Sequence, residues 1–554
     1  MTVSGYFAPL LPGAADYRRL PRTWRSDLVA GITVGIVALP LALAFGVSSG
    51  VGAEVGLITA IIAGIVAAVF GGSNVQVSGP TGAMVVILGP IVAVQGPQVV
   101  PLLSLMAGIF VLIAGVLKIG RVVSYIPWPV IEGFTLGIAV IIFLQQVPAA
   151  FGVSPGPSTN TLVAVVEALP TVAWPVTATA IATTVAVAAI MVFLPRLNRH
   201  IPASLIAIIV VTIVVTVANL PIDRIGQLPS ALPAPTFPAV TLPLVATLAG
   251  PALTIAALAA IESLLSARVA ASISDTGPYD ADRELVGQGL ASVASGFFGG
   301  MPATGAIART AVNLRSGAQS RLAAIIHSLV LIAVVYLATS AVSLIPLAAL
   351  AGVLMITAIR MISRSTVRSV ITASRSDAAV FVGTAVVTVS FDLIIAVGIG
   401  IAAAAFFALR TLAASGGVHR EEIRESPQPG DEEIAVFRLD GALFFGAADR
   451  MVEEINLISS VSVVILRLSQ LQVLDATGAR VITELVQSLE RRNITVLIKG
   501  IQERHLHVAT RVGVISALRH QNHLFVDLPA AIEHARSHVR RTRAQQSGAQ
   551  GHPS

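Results

Sequence analysis

Phe70-Gly71-Gly72, running on to Ser78-Gly79-Pro80-Thr81-Gly82, and Phe298-Gly299-Gly300, running on to Ala303-Thr304-Gly305-Ala306-Ile307, decide the fold of this chain. Each pair interrupts long apolar sequence with a short polar break. Freed backbone is tolerated inside a bilayer only where it is buried in protein or lines a cavity. Two similar interruptions in corresponding halves therefore point to a duplicated membrane fold with two broken helices and a binding site between them.

Composition supports a membrane reading. Of 554 residues, 55% are hydrophobic and 12% charged, and the mean hydropathy is +0.85. A soluble chain could not bury so much apolar surface. Charges are absent from Val55 to Leu117, Gly133 to Val166 and Leu322 to Ile359, windows that each exceed the roughly 20 residues of one crossing. The first apolar run, Leu28 to Val47, is too long for a signal-peptide core. A pI near 10.2 reflects basic cytoplasmic loops, and no nucleic-acid partner is expected.

Borders at Pro, Gly and charged residues predict about fourteen spans: 28–47, 55–71, 81–95, 98–117, 122–147, 174–195, 201–219, 242–272, 284–299, 306–314, 322–340, 345–360, 376–391 and 393–410. Loops after even-numbered spans carry Lys118, Arg121, Arg196, Arg199, Arg283, Arg315, Arg321, Arg360, Arg364, Arg368 and Arg375. Loops after odd-numbered spans carry Glu54, Glu167, Asp223, Arg224 and Asp392. This asymmetry predicts a multi-pass cell-membrane protein with both termini in the cytoplasm.

The domains read as a cytoplasmic segment at 1–27, a transmembrane domain at 28–410, a linker at 411–431, a small α/β domain at 432–540 and a disordered tail at 541–554, with disorder setting in from about Ser537. Strands are expected at Ile434–Leu439, Val461–Leu468, Ile494–Ile498 and Leu524–Val526, with helices at Ala447–Ile458, Gly478–Arg492 and about His505–Leu518.

Leu39-Pro40-Leu41-Ala42-Leu43-Ala44-Phe45-Gly46, Gly79-Pro80-Thr81-Gly82, Gly287-Gln288-Gly289-Leu290 with Gly299-Gly300, and Ala308-Arg309-Thr310-Ala311-Val312-Asn313 with Ser316-Gly317 together resemble the sulfate permease (SulP) family of anion transporters. Leu474-Asp475-Ala476-Thr477-Gly478 resembles the mark of a STAS domain. The resemblance implies a membrane all-α fold of about 14 transmembrane spans in a 7+7 inverted repeat. It further implies core and gate subdomains, two half-helices, a soluble α/β STAS domain in the cytoplasm, and a homodimer. It also implies that an anion sits between the facing N-termini of the spans at 81–95 and 306–314. The substrate-binding positions are then Phe45, Thr81, Gly305, Ala306, Ile307, Ala308 and Arg309. Helix N-termini suit this task, because each offers unpaired N–H groups and about half a positive charge. Glycines at 79 and 305 also fit plain helix packing.

Glu262 lies within the apolar stretch Pro251–Ala271, where a carboxylate costs at least about 2.5–3.5 kcal/mol. It can hold a coupling proton, ligate sodium with Ser266, or pair with Arg309 or Arg268. Ile307 stands where sodium-using relatives carry a hydroxyl, which favours the proton. Arg309 near a helix N-terminus needs an anion, Glu262, or both, and a guanidinium suits a tetrahedral oxyanion. Leu41 replaces a glutamine found in many relatives, and the span-one motif is also similar to bicarbonate carriers.

The expected function is secondary active transport of small inorganic anions, by proton-coupled sulfate symport. Sodium-coupled bicarbonate symport, an uncoupled anion exchanger or channel, and a membrane sensor remain alternatives. No enzymatic activity, cofactor or metal is expected, since no cysteine–histidine cluster, metal-spaced acidic motif or nucleophile–base pair is visible. Asp275, Asp280, Asp282, Arg283 and Glu284 read as a solvated loop, and His327 as a satisfied core or interface histidine. Ala476 occupies the position that is a phosphorylated serine in anti-sigma antagonists, and Asp475 or Thr477 is expected to cap the following helix.

Overall fold

The computed structural model describes residues 8–121, 126–156, 158, 160–174, 176–197, 201–228, 230–274, 276–390, 398–408, 417–423, 426–443 and 461–549. The chain divides into two compact units, Met1–Ile401 and Ala402–Ser554.

The first unit is helical. Its main helices are α1 (Leu20–Ser48), α2 (Ala53–Phe70), α3 (Gly82–Gln95), α4 (Val100–Val116), α5 (Trp128–Gln145), α6 (Thr161–Ala168), α7 (Val176–Leu197) and α8 (Ala203–Val217). They continue with α9 (Leu242–Ser272), α10 (Ala281–Phe297), α11 (Ile307–Arg315), α12 (Leu322–Leu337), α13 (Leu347–Met361), α14 (Arg364–Ala373) and α15 (Arg375–Ser390). An apolar helix α16 follows at Gly398–Ala408. Among the described residues, 7 helices are long and apolar enough to cross a membrane. The short helices α3 and α11 begin just beyond the two sequence breaks, where half-helices are expected.

Helix α1 starts at Leu20 rather than near residue 28, with Pro21 in its first turn, where a missing N–H is harmless. Helix α14 occupies an expected loop; its first turn is capped by the Ser363 hydroxyl, which accepts from Thr366 N. Asp392 and Arg199 lie outside the described residues.

Helices α4 and α10 approach so closely that a Cβ on Gly108 would stand 2.7 Å from the carbonyl oxygen of Gly289. Small residues permit this contact, which drives helix association where lipid removes the hydrophobic force. Ser104 adds a hydrogen bond across the seam to Ser292 O at 2.8 Å. Gly287, in the same motif, meets the backbone of Gly71. The glycine-rich motif thus packs α10 against both α4 and the first break.

The expected solvated loop around Glu284 is corrected. Helix α10 begins at Ala281, and Asp280 caps it by accepting from Asp282 N and Arg283 N. Glu284 is 1% exposed. It accepts from Gly72 N at 2.8 Å, Ser73 N at 2.9 Å and Gln288 Nε2 at 2.9 Å. The turn after α2 frees backbone donors in the protein interior, and a buried acceptor is needed to satisfy them. Arg321 serves the opposite polarity, donating to Gly71 O at 2.6 Å. Arg283 is buried as well and pairs with Asp16 at 2.7 Å. Asp275 lies outside the described residues.

The second unit is a five-stranded sheet with helices on both faces. Counting the two short strands of the first unit, β1 (Ser78–Gly79) and β2 (Thr304–Gly305), its strands are β3 (Gly417–Glu421), β4 (Ile434–Leu443), β5 (Val463–Leu474), β6 (Thr495–Lys499) and β7 (Leu524–Phe525). They lie in sequence order, with β3 antiparallel to β4 and the remaining neighbours parallel. The helices are α17 (Ala476–Arg491), α18 (Glu503–Val512) and α19 (Leu528–Ala549). Val464 and Leu466 face a core shared with α17, whereas Val463 and Ile465 face one shared with α19. Burial of both faces is the rule for parallel strands.

Two expectations change in this unit. Strand β3 falls inside the expected linker, and Glu421 ties it to Arg438 at 2.9 Å and Arg467 at 2.8 Å. The expected disordered tail is helical to Ala549. Ala531, Ile532, Ala535 and Val539 bury one side of α19, while Arg536 and Arg543 pair with Asp431 and Glu433. Glu533, Arg540 and Arg541 of the same helix are exposed. The helix expected at Ala447–Ile458 and the last residues, 550–554, lie outside the described residues.

Candidate functional site

The two breaks meet as an antiparallel pair, with Ser78 opposite Gly305 and Gly79 opposite Thr304. Gly79 has φ +152°, a backbone conformation that side chains disfavour. A Cβ there would also stand 2.8 Å from Arg309 Nη1. Helices α3 and α11 then lead away from the crossing. Their N-cap residues, Thr81 and Ala306, make no side-chain capping bond. The first helical bonds run from Val85 N to Thr81 O and from Thr310 N to Ala306 O. Earlier N–H groups in each first turn have no intrahelical partner.

Polar side chains from three helices hold the crossing. Ser263 on α9 accepts from Gly305 N at 3.0 Å, and its hydroxyl lies 2.8 Å from that of Thr304. Thr310 accepts from Val77 N at 3.0 Å. Gln288 on α10 donates to Ser78 Oγ at 2.5 Å. Asn313 Nδ2 donates to Val75 O at 2.8 Å. These bonds compensate backbone groups that water cannot reach.

Glu262 is partly accessible and accepts from Thr81 Oγ1 at 2.9 Å. Arg309 is 2% exposed. Its Nη2 donates to Pro80 O, while the buried Nη1 has no partner among the described residues. Neither terminal nitrogen is bound to Glu262, although the two charges interact. The acid and the arginine therefore belong to one site without closing on each other.

The other expected positions divide. Phe45 is buried beside the start of α3: a Cβ on Gly82 would lie 3.5 Å from its Cε1. Ala306 is buried, whereas Ile307 and Ala308 are exposed at the start of α11. Gly305 does not border open space; a side chain there would collide with the Gln76 amide and approach Ser263 Cα to 3.2 Å. Ser266 is buried and donates to Thr310 Oγ1 at 3.3 Å, so its hydroxyl is turned to α11. His327 is a fully buried core histidine.

Sequence reasoning missed Ser263, Thr304, Thr310 and the fastening role of Gln288. Polar side chains in apolar windows were the available signal, but their partners are remote in sequence. A separate cavity of about 410 Å³ is lined by Ala44, Ser48, Gln145, Gln146 and Asp223, among others. In the second unit, Asp475 caps α17 by accepting from Gly478 N at 2.7 Å, as its spacing suggests.

The sulfate permease family profile matches residues 24–384, and the STAS domain profile matches residues 427–531. A Bacillus subtilis protein provisionally named as the sulfate transporter YvdB is 34% identical over 515 residues, covering 90% of this chain and 96% of its own. The bicarbonate transporter BicA of Synechocystis is 31% identical, covering 86% of this chain and 88% of its own. The solved transmembrane domain of a cyanobacterial BicA is 32% identical and superposes with a TM-score of 0.63, covering 68% of this chain and 98% of that domain. Murine Slc26a9 in its inward-facing state gives a TM-score of 0.79 at 17% identity, over 92% of this chain and 91% of that one, which speaks for the fold alone. These are transporters and not enzymes, and with its profile match, its broken helices and its C-terminal STAS domain the chain belongs to the sulfate permease family.

Proposed function

We propose that this protein is a secondary active transporter of small inorganic anions, and that it carries sulfate together with a proton. The observation that carries the reading is the meeting of two uncapped helix N-termini beside Arg309, whose buried Nη1 has no partner among the described residues. Such ends attract anions, and a guanidinium adds directional donors. Phe45, Thr81, Ala306, Ile307, Ala308 and Arg309 form the anion site in this reading, and Gly305 keeps its backbone close-packed.

Glu262 is the coupling group. Its link to Thr81 joins protonation to the N-cap of α3, so a proton on the acid and an anion at the helix end affect one another. Sodium is the weaker candidate, because Ile307 brings no side-chain oxygen and Ser266 is engaged by Thr310. The similarity to BicA favours bicarbonate as the second substrate reading; sodium-coupled bicarbonate symport and an uncoupled anion exchanger or channel remain the alternatives to proton coupling. The wider arrangement follows the family expectation: about fourteen spans in a seven-plus-seven inverted repeat, cytoplasmic termini and a homodimer.

Uptake of labelled sulfate and bicarbonate into proteoliposomes, under imposed pH and sodium gradients, tests the proposal. Concentrative sulfate uptake driven by a pH gradient supports it. Bicarbonate uptake driven by sodium alone replaces it with the second reading.

A further inference from the structure

The second unit contains a group of histidines that anion transport does not use. His534 and His538 stand one turn apart on α19. The 3-10 turn Gln521–His523, just before β7, brings His523 against them. The ring centroid of His523 lies 5.5 Å from that of His534 and 5.4 Å from that of His538, and the latter two are 5.0 Å apart. A ligating nitrogen from each ring lies within 4.8 Å of the other two. A strand and the start of a helix separate His523 from His534 in the chain, so no metal motif is visible in the sequence, and the sequence reading passed over the group.

A second observation concerns the ring nitrogens. His523 is 2% exposed. Its Nδ1 is buried and has no partner among the described residues, and neither has Nε2 of His534. Buried polar atoms are ordinarily satisfied. A buried ring nitrogen without a hydrogen bond is open to a metal ion.

We propose that His523, His534 and His538 bind one divalent transition-metal ion of the zinc class. Water or the exposed His520, whose ring lies 5.5 Å from that of His523, would complete a four-coordinate site. An imidazole pair at i and i+4 on one helix is a recurrent half of such a site. Ligand bonds of about 2.0–2.1 Å require the three nitrogens to draw closer by ring rotation.

The surrounding charges limit affinity. Arg541 and Arg519 act on the cluster, though Arg519 is paired with Glu490 at 3.0 Å and Arg541 bonds Ser537 Oγ at 3.1 Å. With the His520 ring as fourth protein ligand the site is closed, as structural zinc sites are. It clamps α19 to the turn before β7 and so fixes the last helix on the sheet.

The test uses the full-length, tag-free protein, stripped with chelator and titrated with cobalt(II), then zinc(II). One cobalt ion per chain should bind with the visible absorption of a tetrahedral site, and zinc should displace it. His534→Ala/His538→Ala should weaken binding by at least about a hundredfold, since even outer-shell changes cost 10–100-fold. His507→Ala, at an exposed histidine elsewhere, should leave it unchanged. Zinc should also slow hydrogen exchange across 528–549 in the unmutated protein, a readout that survives misfolding of the double variant. The proposal is overturned by the lack of a stoichiometric tetrahedral adduct. It is equally overturned by a folded double variant that binds as before, or by bound zinc that leaves exchange across 528–549 untouched.

Discussion

The hydroxyl of Thr81 donates to the carboxylate of Glu262 at 2.9 Å, joining the start of half-helix α3 to the middle of α9. Protonation of Glu262 weakens the charge-assisted bond that Thr81 donates, and Thr81 is the N-cap of α3. Chemistry at the acid is thereby felt at the start of α3.

Glu262→Gln should fold, retain anion binding and lose concentrative uptake under a pH gradient. The amide keeps an acceptor for Thr81 but cannot cycle a proton. Flux in proteoliposomes and anion binding by calorimetry measure the two halves of this claim. A variant that still concentrates sulfate would remove Glu262 from coupling.

Arg309→Ala should weaken sulfate binding more than bicarbonate binding. A charge-assisted contact is worth about 1.5–3 kcal/mol, or roughly ten- to a hundred-fold in affinity. A monovalent anion relies more on the backbone donors near Thr81 and Ala306. Competition binding reads the ratio directly. Equal loss of both anions, reversed by also neutralising Glu262, would identify Arg309 as a structural counter-charge instead.

Thr310→Val should destabilise the first unit without directly removing an anion ligand. The Thr310 hydroxyl accepts from Val77 N at 3.0 Å, and an orphaned buried donor costs about 1–3 kcal/mol. A lowered Tm in detergent, with near-normal anion affinity in the surviving folded protein, is the expected pattern. An unchanged Tm would show that Val77 finds another acceptor.

Reporter fusions should place Val172 outside and Lys118, Asp280 and Glu425 inside, as the distribution of basic residues requires. A cytoplasmic signal at Val172 would break the fourteen-span arrangement.

Acid should loosen β3 from the C-terminal sheet. Burial works against ionisation of Glu421, but its bonds and charge interactions with Arg467 and Arg438 outweigh it and hold the carboxyl below its ordinary 4.5. Stability from a lowered pKa is present above the unfolded value and is lost as pH falls through the folded one. Exchange protection in 434–443, corrected for intrinsic rate, should therefore fall on acidification below about 4.5. Glu421→Gln should flatten that dependence. A dependence identical in the variant would assign the acid sensitivity to other carboxylates.

The half-helices were legible because glycine, proline and threonine stand out in apolar windows, and the family motifs named most positions around them. Their pairing register was not legible. Ser78 and Gly305 are remote in sequence, and nothing local specifies which residue opposes which. Ser263 and Thr310 were hidden for a different reason: hydroxyls in membrane helices commonly bond their own preceding turn, as Thr254 does to Gly250 O at 3.0 Å. Glu284 was misread because a run of charges normally marks water, yet here one member of the run turns inward to satisfy Gly72 and Ser73. Helix α19 was misread through its average composition, whereas its fate rests on Ala531, Ile532, Ala535 and Val539.

The pairing of β1 with β2 gears the two half-helices together. A shift of α3 or α11 pulls on a strand pairing that leads into the other, so in the proposed function the anion site moves as a single cassette. On the proposed transport reading, selectivity belongs to that cassette, while access depends on the helices that surround it. Substitutions within Ser78–Gly79 or Thr304–Gly305 should consequently alter which anion is accepted and how fast the protein turns over at the same time, whereas changes at surrounding helices should separate those two properties.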